Sequence, residues 1–255
     1  MNQQEIFEKQ LALDYSCSIE QVRSKEHVFT RKEYREGRRI FKGDDCLMKV
    51  VCVNGKIIVS AEEEILDWCK TEWKDASSAW FFTIENLRKL DDKLRSMGHY
   101  LKDAHHFYLP GGIETIGDTI PAGADAKLRW YEQADLEQFR ENNPFKEALS
   151  FLPEAPDMLA VTVEKDGVIL GMAGASADGD KMWQIGINVT TAGEGMGMGT
   201  FLVTQLKREL IKRDIVPFYG TAESHIKSQR VAVQSGFMPR WAELYSEKRM
   251  LGQCD

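Results

Sequence analysis

The chain has 255 residues, of which 43% are hydrophobic and 29% charged, a globular composition that fits one large domain or two modest ones. Its formal net charge of -7 argues against binding to a nucleic-acid backbone, which needs clustered lysine and arginine, and suits a basic or neutral amine substrate. The sequence has no run of about 18 apolar residues, so we expect no membrane span.

The five cysteines are Cys17, Cys46, Cys52, Cys69 and Cys254. They form no C-x-x-C pair, and no apolar secretory segment precedes them, which favours the reducing cytoplasm as the compartment. Their spacing matches no common zinc pattern. We therefore expect buried free thiols and no metal site.

The first hundred residues predict a mixed α/β unit. A helix is expected around Glu5 to Asp14. Leu47 to Val53 and Lys56 to Ser60 are rich in β-branched residues and flank Asn54-Gly55, a dipeptide that favours the positive φ angles of a tight hairpin turn. The sequence therefore predicts a β-hairpin at this point.

Two helices are predicted after the hairpin. Ser60 followed by Glu63 has the form of a capping box, which predicts a helix that runs through Trp73. Leucines on one stripe predict a second helix over Ile84 to Met97, ending at Gly98.

Glycine and proline concentrate between Pro110 and Gly123, the strongest change of composition in the chain. We place a linker there, at residues 111–126. It separates an N-terminal α/β domain, residues 1–110, from a C-terminal domain, residues 127–255.

The C-terminal domain begins with a predicted strand at Lys127 to Tyr131, a helix from Asp135 and a second helical stretch that ends before Pro153. Three antiparallel strands, a glycine-rich loop, an amphipathic helix, a strand and a last helix follow. The three strands are predicted at Leu159 to Glu164, Val168 to Ala175 and Met182 to Val189. This order predicts an α+β fold with a mixed, mostly antiparallel central sheet flanked by helices.

The most informative segment is the loop that carries Gly195, Gly197 and Gly199. It leaves a strand and enters a helix with leucines at every fourth position from Leu202 to Leu210. Glycines before a helix allow close approach of a ligand to the backbone, and the free N–H groups of the first turn attract anions. The pattern therefore indicates a pyrophosphate site.

Other interpretations of the alternating glycines are possible. A Walker loop would need a Gly-Lys-Ser/Thr sequence, and no lysine is present. A dinucleotide-binding fingerprint would follow the first strand of a βαβ unit, whereas this loop follows antiparallel strands. A turn that binds nothing stays open as an alternative.

This segment resembles the GNAT acetyltransferases, whose motif is Gln/Arg-x-x-Gly-x-Gly/Ala. Gly197 and Gly199 occupy the two small positions, and Glu194 stands at the Gln/Arg position. A carboxylate beside a pyrophosphate is unfavourable, so we expect the Glu194 side chain to turn away and the backbone amides to bind.

The resemblance continues along the chain and spans about Lys127 to Tyr245. The strand Phe218 to Glu223 precedes Ser224-His225-Ile-Lys-Ser228, and a helix then ends in Gly236-Phe237. Residues 1–110 resemble nothing in the family pattern. The whole looks like two-domain, GNAT-like bacterial proteins.

The resemblance implies a GNAT fold in which two neighbouring strands splay apart and hold the thioester of acetyl-CoA between them. It implies that backbone amides around residues 187–189 hold the pantetheine arm. The cofactor-binding residues implied in this way are Ile187, Asn188, Val189, Glu194, Gly195, Met196, Gly197, Met198, Gly199, Thr200 and Ser228.

The family's proton donor is a tyrosine four residues before the glycine of Gly-Phe, and this chain has Ala232 there. Candidates for proton transfer near the splayed strands are Glu223, Tyr219 and His225. Glu223 is the first choice, because a carboxylate at a strand end can accept a proton from an incoming ammonium.

The predicted function is acetyl-CoA-dependent N-acetylation of a small-molecule or peptide amine by direct attack in a ternary complex. The chain is expected to bind neither nucleic acid nor membrane. The N-terminal domain either shapes the acceptor pocket or packs a second subunit of a homodimer against it. The alternatives are an acyl-CoA sensor without catalysis, favoured by Ala232, and an interaction protein whose N-terminal domain binds a protein target.

Overall fold

The computed structural model describes residues 2–40 and 45–249, which form two compact units. The first unit comprises the residues up to Ile6 together with Phe107–Pro239, and the second comprises Phe7–His106 together with the residues from Arg240 onward. The sequence instead predicts a linker at residues 111–126 and assigns the residues from Arg240 onward to the C-terminal domain. Cys254 lies outside the described residues.

The described chain contains both helices and strands throughout its length. The helices are α1 (Gln3–Asp14), α2 (Ile19–Arg23), α3 (Glu63–Trp73), α4 (Ile84–Arg95), α5 (Gln133–Leu136), α6 (Met198–Lys212) and α7 (Ile226–Gln234). The strands are β1 (Val28–Arg31), β2 (Met48–Val53), β3 (Lys56–Ala61), β4 (His99–Glu114), β5 (Lys127–Glu132), β6 (Asp157–Lys165), β7 (Val168–Ser176), β8 (Met182–Val189), β9 (Val216–Ala222) and β10 (Ser235–Lys248). None of the described helices is long and apolar enough to cross a membrane.

The first unit is built on a mixed sheet with the strand order β10-β4-β9-β8-β7-β6-β5. Strands β5 to β8 form an antiparallel series, and β9 is parallel to β8. The turn between β6 and β7 places Asp166 and Gly167 at φ angles of 51° and 78°. The predicted α+β fold with a mostly antiparallel sheet is confirmed.

Both faces of this sheet are covered. On one face, the apolar stripe of α6, including Leu202, Leu206 and Leu210, packs against Val161 and Ala173 of β6 and β7. On the other face, the segment after α5 contributes the buried side chains Phe145, Ala148 and Leu149, which cluster with Ala160 and Met172. Because side chains alternate along a strand, each strand supplies residues to both cores.

The second unit contains the predicted hairpin, in which β2 and β3 pair across Asn54 and Gly55 with φ angles of 49° and 79°. The strand order is β1-β3-β2-β10-β4. Strands β1 and β3 are parallel, and β10 is antiparallel to β2. Helices α3 and α4 cover the apolar side chains of this sheet, with Leu90 and Leu94 fully buried.

Several sequence predictions of secondary structure were wrong. Ser60 does not cap α3, because β3 continues to Ala61, which pairs with Met48, and the helix begins only after Glu62. The second helical stretch before Pro153 is not an α-helix in the described chain, where α5 is followed by a 3-10 helix of three residues, Glu137–Phe139, and then by turns. The strand β4 runs to Glu114, so the first residues of the predicted linker lie in a strand.

A buried ionic cluster lies in the second unit. The guanidinium of Arg39 donates to both carboxylate oxygens of Glu243, at 3.0 and 2.9 Å, and to Asp14 at 2.6 Å. Tyr15 and Trp241 also donate to Glu243, at 3.1 and 3.2 Å. Buried charges are tolerated only when paired and hydrogen-bonded, so each member of the cluster depends on the others.

A second ionic cluster lies in the first unit, at the end of β4. The carboxylate of Glu114 accepts from Lys207 at 2.7 Å and from Arg208 at 2.9 Å. Burial alone would raise the pKa of Glu114, but the hydrogen bonds from Arg208 and Lys207 outweigh it and hold that pKa below its ordinary value.

Candidate functional site

Strands β8 and β9 pair over only part of their length. Their parallel register runs from Met182 opposite Val216 to Ile185 opposite Tyr219 and goes no further in the described residues. Strand β8 continues to Val189 and β9 to Ala222, so the two strands part at this point. We call the opening beyond Ile185 and Tyr219 the fork.

Alternate backbone groups of β8 face the fork. Residues up to Val189 still pair with β7 on the other edge, and in an antiparallel pair only alternate residues bond to a given neighbour. The remaining N–H and C=O groups beyond Ile185 therefore point into the opening. This is the location at which the sequence placed the pantetheine-binding amides of Ile187, Asn188 and Val189.

The glycine-rich loop presents a row of free amides before α6. Gly195 and Gly197 adopt φ angles of 75° and 77°, which residues with a side chain rarely adopt. The N–H of Phe201 makes the first bond of the helix, to the carbonyl of Gly197 at 3.1 Å. The amides of residues 195–200 therefore have no backbone acceptor within the described chain, as is expected for a helix start. We call residues 195–200 the amide nest.

Residues 195–197 of the amide nest are exposed to solvent, whereas Met198, Gly199 and Thr200 are buried at the start of α6. A Cβ atom built on Gly195 would meet no atom within 4 Å, and one on Gly197 would meet only Ile116 Cδ1, at 3.7 Å. The side chain of Glu194 is exposed. The nest also carries no side-chain cap, so its donors are available to an anionic ligand.

The amide nest lies next to the fork. A Cβ atom built on Gly199 would be 3.6 Å from Val189 Cγ2 and 3.9 Å from Ile187 Cγ1, both on the part of β8 beyond the last pair. The same position would be 3.3 Å from Val231 Cγ2 of α7. A ligand bound at the nest could therefore extend directly into the fork.

The predicted site residue Asn188 faces the opposite side of β8. Its side-chain oxygen accepts hydrogen bonds from the backbone N–H groups of Glu147 and Ala148, both at 2.9 Å. The side chain is therefore engaged away from α6, and only the backbone of Asn188 remains as a predicted cofactor contact.

Of the three predicted catalytic residues, only Tyr219 is buried at the fork, with 2% of its surface exposed. Its hydroxyl lies 2.9 Å from the hydroxyl of Ser228 on α7, a predicted cofactor-binding residue. Burial raises the pKa of Tyr219, the hydrogen bond with Ser228 opposes the rise, and the negative charge of Glu147 adds to it. At neutral pH the phenol therefore carries its proton.

Glu223 and His225 lie in the turn between β9 and α7, and both are exposed. The backbone N–H of His225 donates to Ala222 at 3.1 Å, and the carbonyl of Glu223 accepts from Gln229 at 2.7 Å. Ala232, at the family's tyrosine position, is fully buried one helical turn beyond Ser228. The phenol near this part of α7 is therefore that of Tyr219, which comes from a strand.

A buried hydroxyl without a partner in the described residues lies on the part of β9 that borders the fork. Thr221 is 5% exposed, and within the described residues its Oγ1 has no hydrogen-bond partner. It is two residues after Tyr219, so its side chain points to the same face of the sheet. An unpaired hydroxyl at this position fits a polar ligand in the fork.

Sequence reasoning missed Glu147, whose backbone lies against β8 where the fork begins. A Cβ atom built on Gly186 would be only 1.6 Å from the carbonyl oxygen of Glu147. The available signal was the pair of glycines in the predicted strands, Gly174 and Gly186, because glycine inside a strand often marks close backbone approach. Within the described chain, no group of three or more His, Cys, Asp or Glu side chains could hold a metal ion.

Comparison with known proteins gives one family match, of residues 126–237 to the acetyltransferase (GNAT) family model, all within the first unit. The search of curated proteins found no match.

Solved structures that match this chain include a GCN5-related N-acetyltransferase-like protein from Streptococcus suis, with 10% identity over 97% of this chain and 98% of that chain and a TM-score of 0.48. A GNAT-family acetyltransferase from Colwellia psychrerythraea has 12% identity over 82% and 84% of the two chains and a TM-score of 0.41. The yncA protein of Salmonella typhimurium, whose structure includes its cofactor acetyl-CoA, has 16% identity over 51% of this chain and 98% of that chain and a TM-score of 0.35.

Proposed function

Residues 126–237 form a domain of the acetyltransferase (GNAT) family, and from this premise we propose that the chain transfers an acetyl group from acetyl-CoA to a primary amine. The main support for the proposal is the position of the amide nest directly beside the fork. An anion-binding helix start and a gap between parallel strands are the two features that this reaction needs.

The residues present fit coenzyme A. The amides of residues 195–200 would bind its pyrophosphate, since they have no backbone acceptor, are exposed at residues 195–197 and lie at the positive end of α6. The free backbone groups of β8 and the hydroxyl of Thr221 would hold the pantetheine arm in the fork. The exposed Glu194 side chain can stay in water and leave the binding to the backbone.

In the proposed reaction, an ammonium first loses one proton, and the neutral amine attacks the thioester carbonyl carbon. A C–N bond forms, the C–S bond breaks, and the sulfur leaves with the electron pair. The amine nitrogen loses its second proton and the sulfur gains one, so the net reaction releases an amide, a thiol and one proton. Backbone donors of β8 stabilise the developing oxyanion, and one well-placed donor contributes about 3 kcal/mol.

Proton transfer is the point at which this chain departs from the family pattern, because Ala232 replaces the usual tyrosine. Tyr219 is the strongest candidate for the donor to the departing sulfur, since it is buried at the fork and its phenol stays protonated at neutral pH. Glu223 and His225 are exposed and could accept the ammonium proton through water. We therefore assign the acid role to Tyr219 and keep Glu223 as first choice for the base.

A second candidate function is an acyl-CoA sensor without catalysis, and Ala232 is the observation that favours it. In that case the fork would bind acetyl-CoA but would transfer no acetyl group. Calorimetry with acetyl-CoA and with free CoA, followed by thiol-release assays across a panel of primary amines, separates the two. Binding without release of thiol from any amine would favour the sensor.

The nest is tested by Gly195→Leu, with Gly167→Leu as the matched control. Both glycines have φ angles near 75–78°, and at both positions a Cβ atom meets nothing within 4 Å. The two variants should therefore lose similar stability from backbone strain, about 1–2 kcal/mol. Only Gly195→Leu should weaken CoA binding, by at least about tenfold. Equal CoA affinity in the two variants would show that the amides of residues 195–200 are not the binding site.

A further inference from the structure

The segment Phe145–Leu149 lies directly on β7 and β8, on the face opposite α6. Cβ atoms built on the paired glycines Gly174 and Gly186 would be 1.9 Å from the carbonyl oxygen of Ala148 and 1.6 Å from that of Glu147. These distances leave no room for a side chain on either strand. The main chain of Glu147 is therefore held against β8 at the first residue beyond the last pair of the fork.

This segment is fixed from several sides. Phe145 and Leu149 are buried in the apolar cluster on this face of the sheet. The amide of Asn143 donates to the carbonyl of Leu149 at 2.8 Å, and the side-chain oxygen of Asn188 accepts from the amides of residues 147 and 148. Glu147 thus sits on a rigid support, although it lies outside regular secondary structure.

The side chain of Glu147 is exposed, and its main chain lies against Gly186, on the face of β8 opposite to the one that Ile185 shares with its partner Tyr219. The Glu147 carboxylate contributes to the raised pKa of Tyr219, whose side chain points to the other face of the sheet. The two groups therefore lie on either side of the same opening. If the amide nest binds the cofactor on the α6 face, the acceptor must approach from the face that carries Glu147.

We propose that Glu147 is the acceptor-recognition residue of this site and selects amines that carry a second positive charge near the reacting nitrogen. The inference rests on the proposed acetyl transfer. The reacting nitrogen must be neutral when it attacks, so it cannot form an ion pair with the carboxylate at that stage. The carboxylate instead binds the neighbouring cationic group and holds the acceptor in place. The expected acceptor is a diamine, or a basic side chain of a peptide that has a second cationic group nearby. An amino acid whose carboxylate lies close to the amine should be a poor acceptor.

The test compares acceptors of one length and different charge: putrescine, butylamine and γ-aminobutyrate. The protein should show the lowest KM for putrescine and the highest for γ-aminobutyrate, with a difference of about two- to fivefold, as expected for an exposed ion pair. In Glu147→Gln the KM values for the three acceptors should converge, while the affinity for CoA stays unchanged. Glu141→Gln, which removes another exposed carboxylate of the same region, should keep the wild-type order.

The outcomes separate this inference from the proposed function. Loss of the charge order in Glu147→Gln alone supports the inference. The same order in Glu147→Gln as in wild type, or no order in wild type, overturns it while leaving acetyl transfer intact. If CoA binds but no amine is acetylated, calorimetric binding of putrescine and γ-aminobutyrate to the CoA-loaded protein decides in the same way. If CoA does not bind at all, both proposals fail.

Discussion

Replacing Gly186 by alanine should dislodge the segment that carries Glu147. The added Cβ atom would lie 1.6 Å from the carbonyl oxygen of Glu147 and 2.7 Å from its carbonyl carbon, and both are backbone atoms that cannot rotate away. Restoring an ordinary contact requires the segment to move by about 2 Å. That movement breaks the two hydrogen bonds to Asn188, each worth about 1 kcal/mol, and adds about 1–3 kcal/mol of overpacking strain. The free energy of unfolding should fall by about 3–5 kcal/mol.

Urea unfolding and amide hydrogen exchange measure this effect, with Gly117→Ala as the control. A Cβ atom on Gly117 meets nothing within 4 Å, and the change should stay within about 1 kcal/mol. In Gly186→Ala the amides of Glu147 and Ala148 should exchange faster, and the KM for putrescine should rise. The packing argument fails if Gly186→Ala matches Gly117→Ala in both its unfolding midpoint and its exchange rates.

Three further predictions concern proton transfer and the two ionic clusters. Tyr219→Phe should lower kcat about a hundredfold without changing the affinity for CoA. Because the pKa of Tyr219 is raised, the wild-type rate should fall only in strongly alkaline solution. A pH–rate profile of Tyr219→Phe should lack that fall. Arg39→Met leaves the buried carboxylate of Glu243 without its main partner and should lower the free energy of unfolding in urea by about 3–5 kcal/mol. The folded-state pKa of Glu114 lies below its ordinary value of 4.5, so its stabilisation is complete above that pH and is lost as the pH falls through the folded-state value. Glu114→Gln should therefore show a weaker loss of stability in acid than wild type, and a steeper loss in unfolding curves measured below pH 4.5 would contradict the assignment.

Local patterns were sufficient to predict one strand, two turns and helix α6. The strand Met182–Val189 was predicted with its observed bounds, because its apolar residues lie between two clear turns. The turns at Asn54-Gly55 and Lys165-Asp166-Gly167 were also predicted, since their φ angles require these residue types. The helix α6 followed from its leucine stripe.

Long strands and distant contacts could not be predicted in the same way. Pro110, Gly111 and Gly112 have the composition of a loop, yet they belong to β4, where a Cβ atom on Gly112 would be 3.3 Å from the backbone of Gly236. Ser60 looked like a helix cap because its role in β3 depends on the pairing of that strand with β2. Such pairings are set by residues far away in the chain, which local propensity does not contain.

In the candidate site, too, some features were predictable from local patterns and others depend on distant contacts. The glycine spacing indicated the nest, and the family resemblance indicated the fork. The location of Glu147 depends on its contacts with Gly186 and Asn188, roughly forty residues further along the chain. No local pattern distinguishes this glutamate from the other surface carboxylates. The choice of Glu223 as base remains a prediction, since its exposure neither supports nor opposes it.

The location of Tyr219 on β9 determines how the protein can adjust its chemistry. A phenol on a strand is fixed by the pairing that joins Ile185 to Tyr219, so its position in the fork changes only if the strand itself moves. Ser228 meets it from α7, a helix of nine residues that contributes only Ala232 to the fully buried side chains. Changes in α7 that admit a bulkier acyl chain would therefore leave Tyr219, the proposed acid, in place.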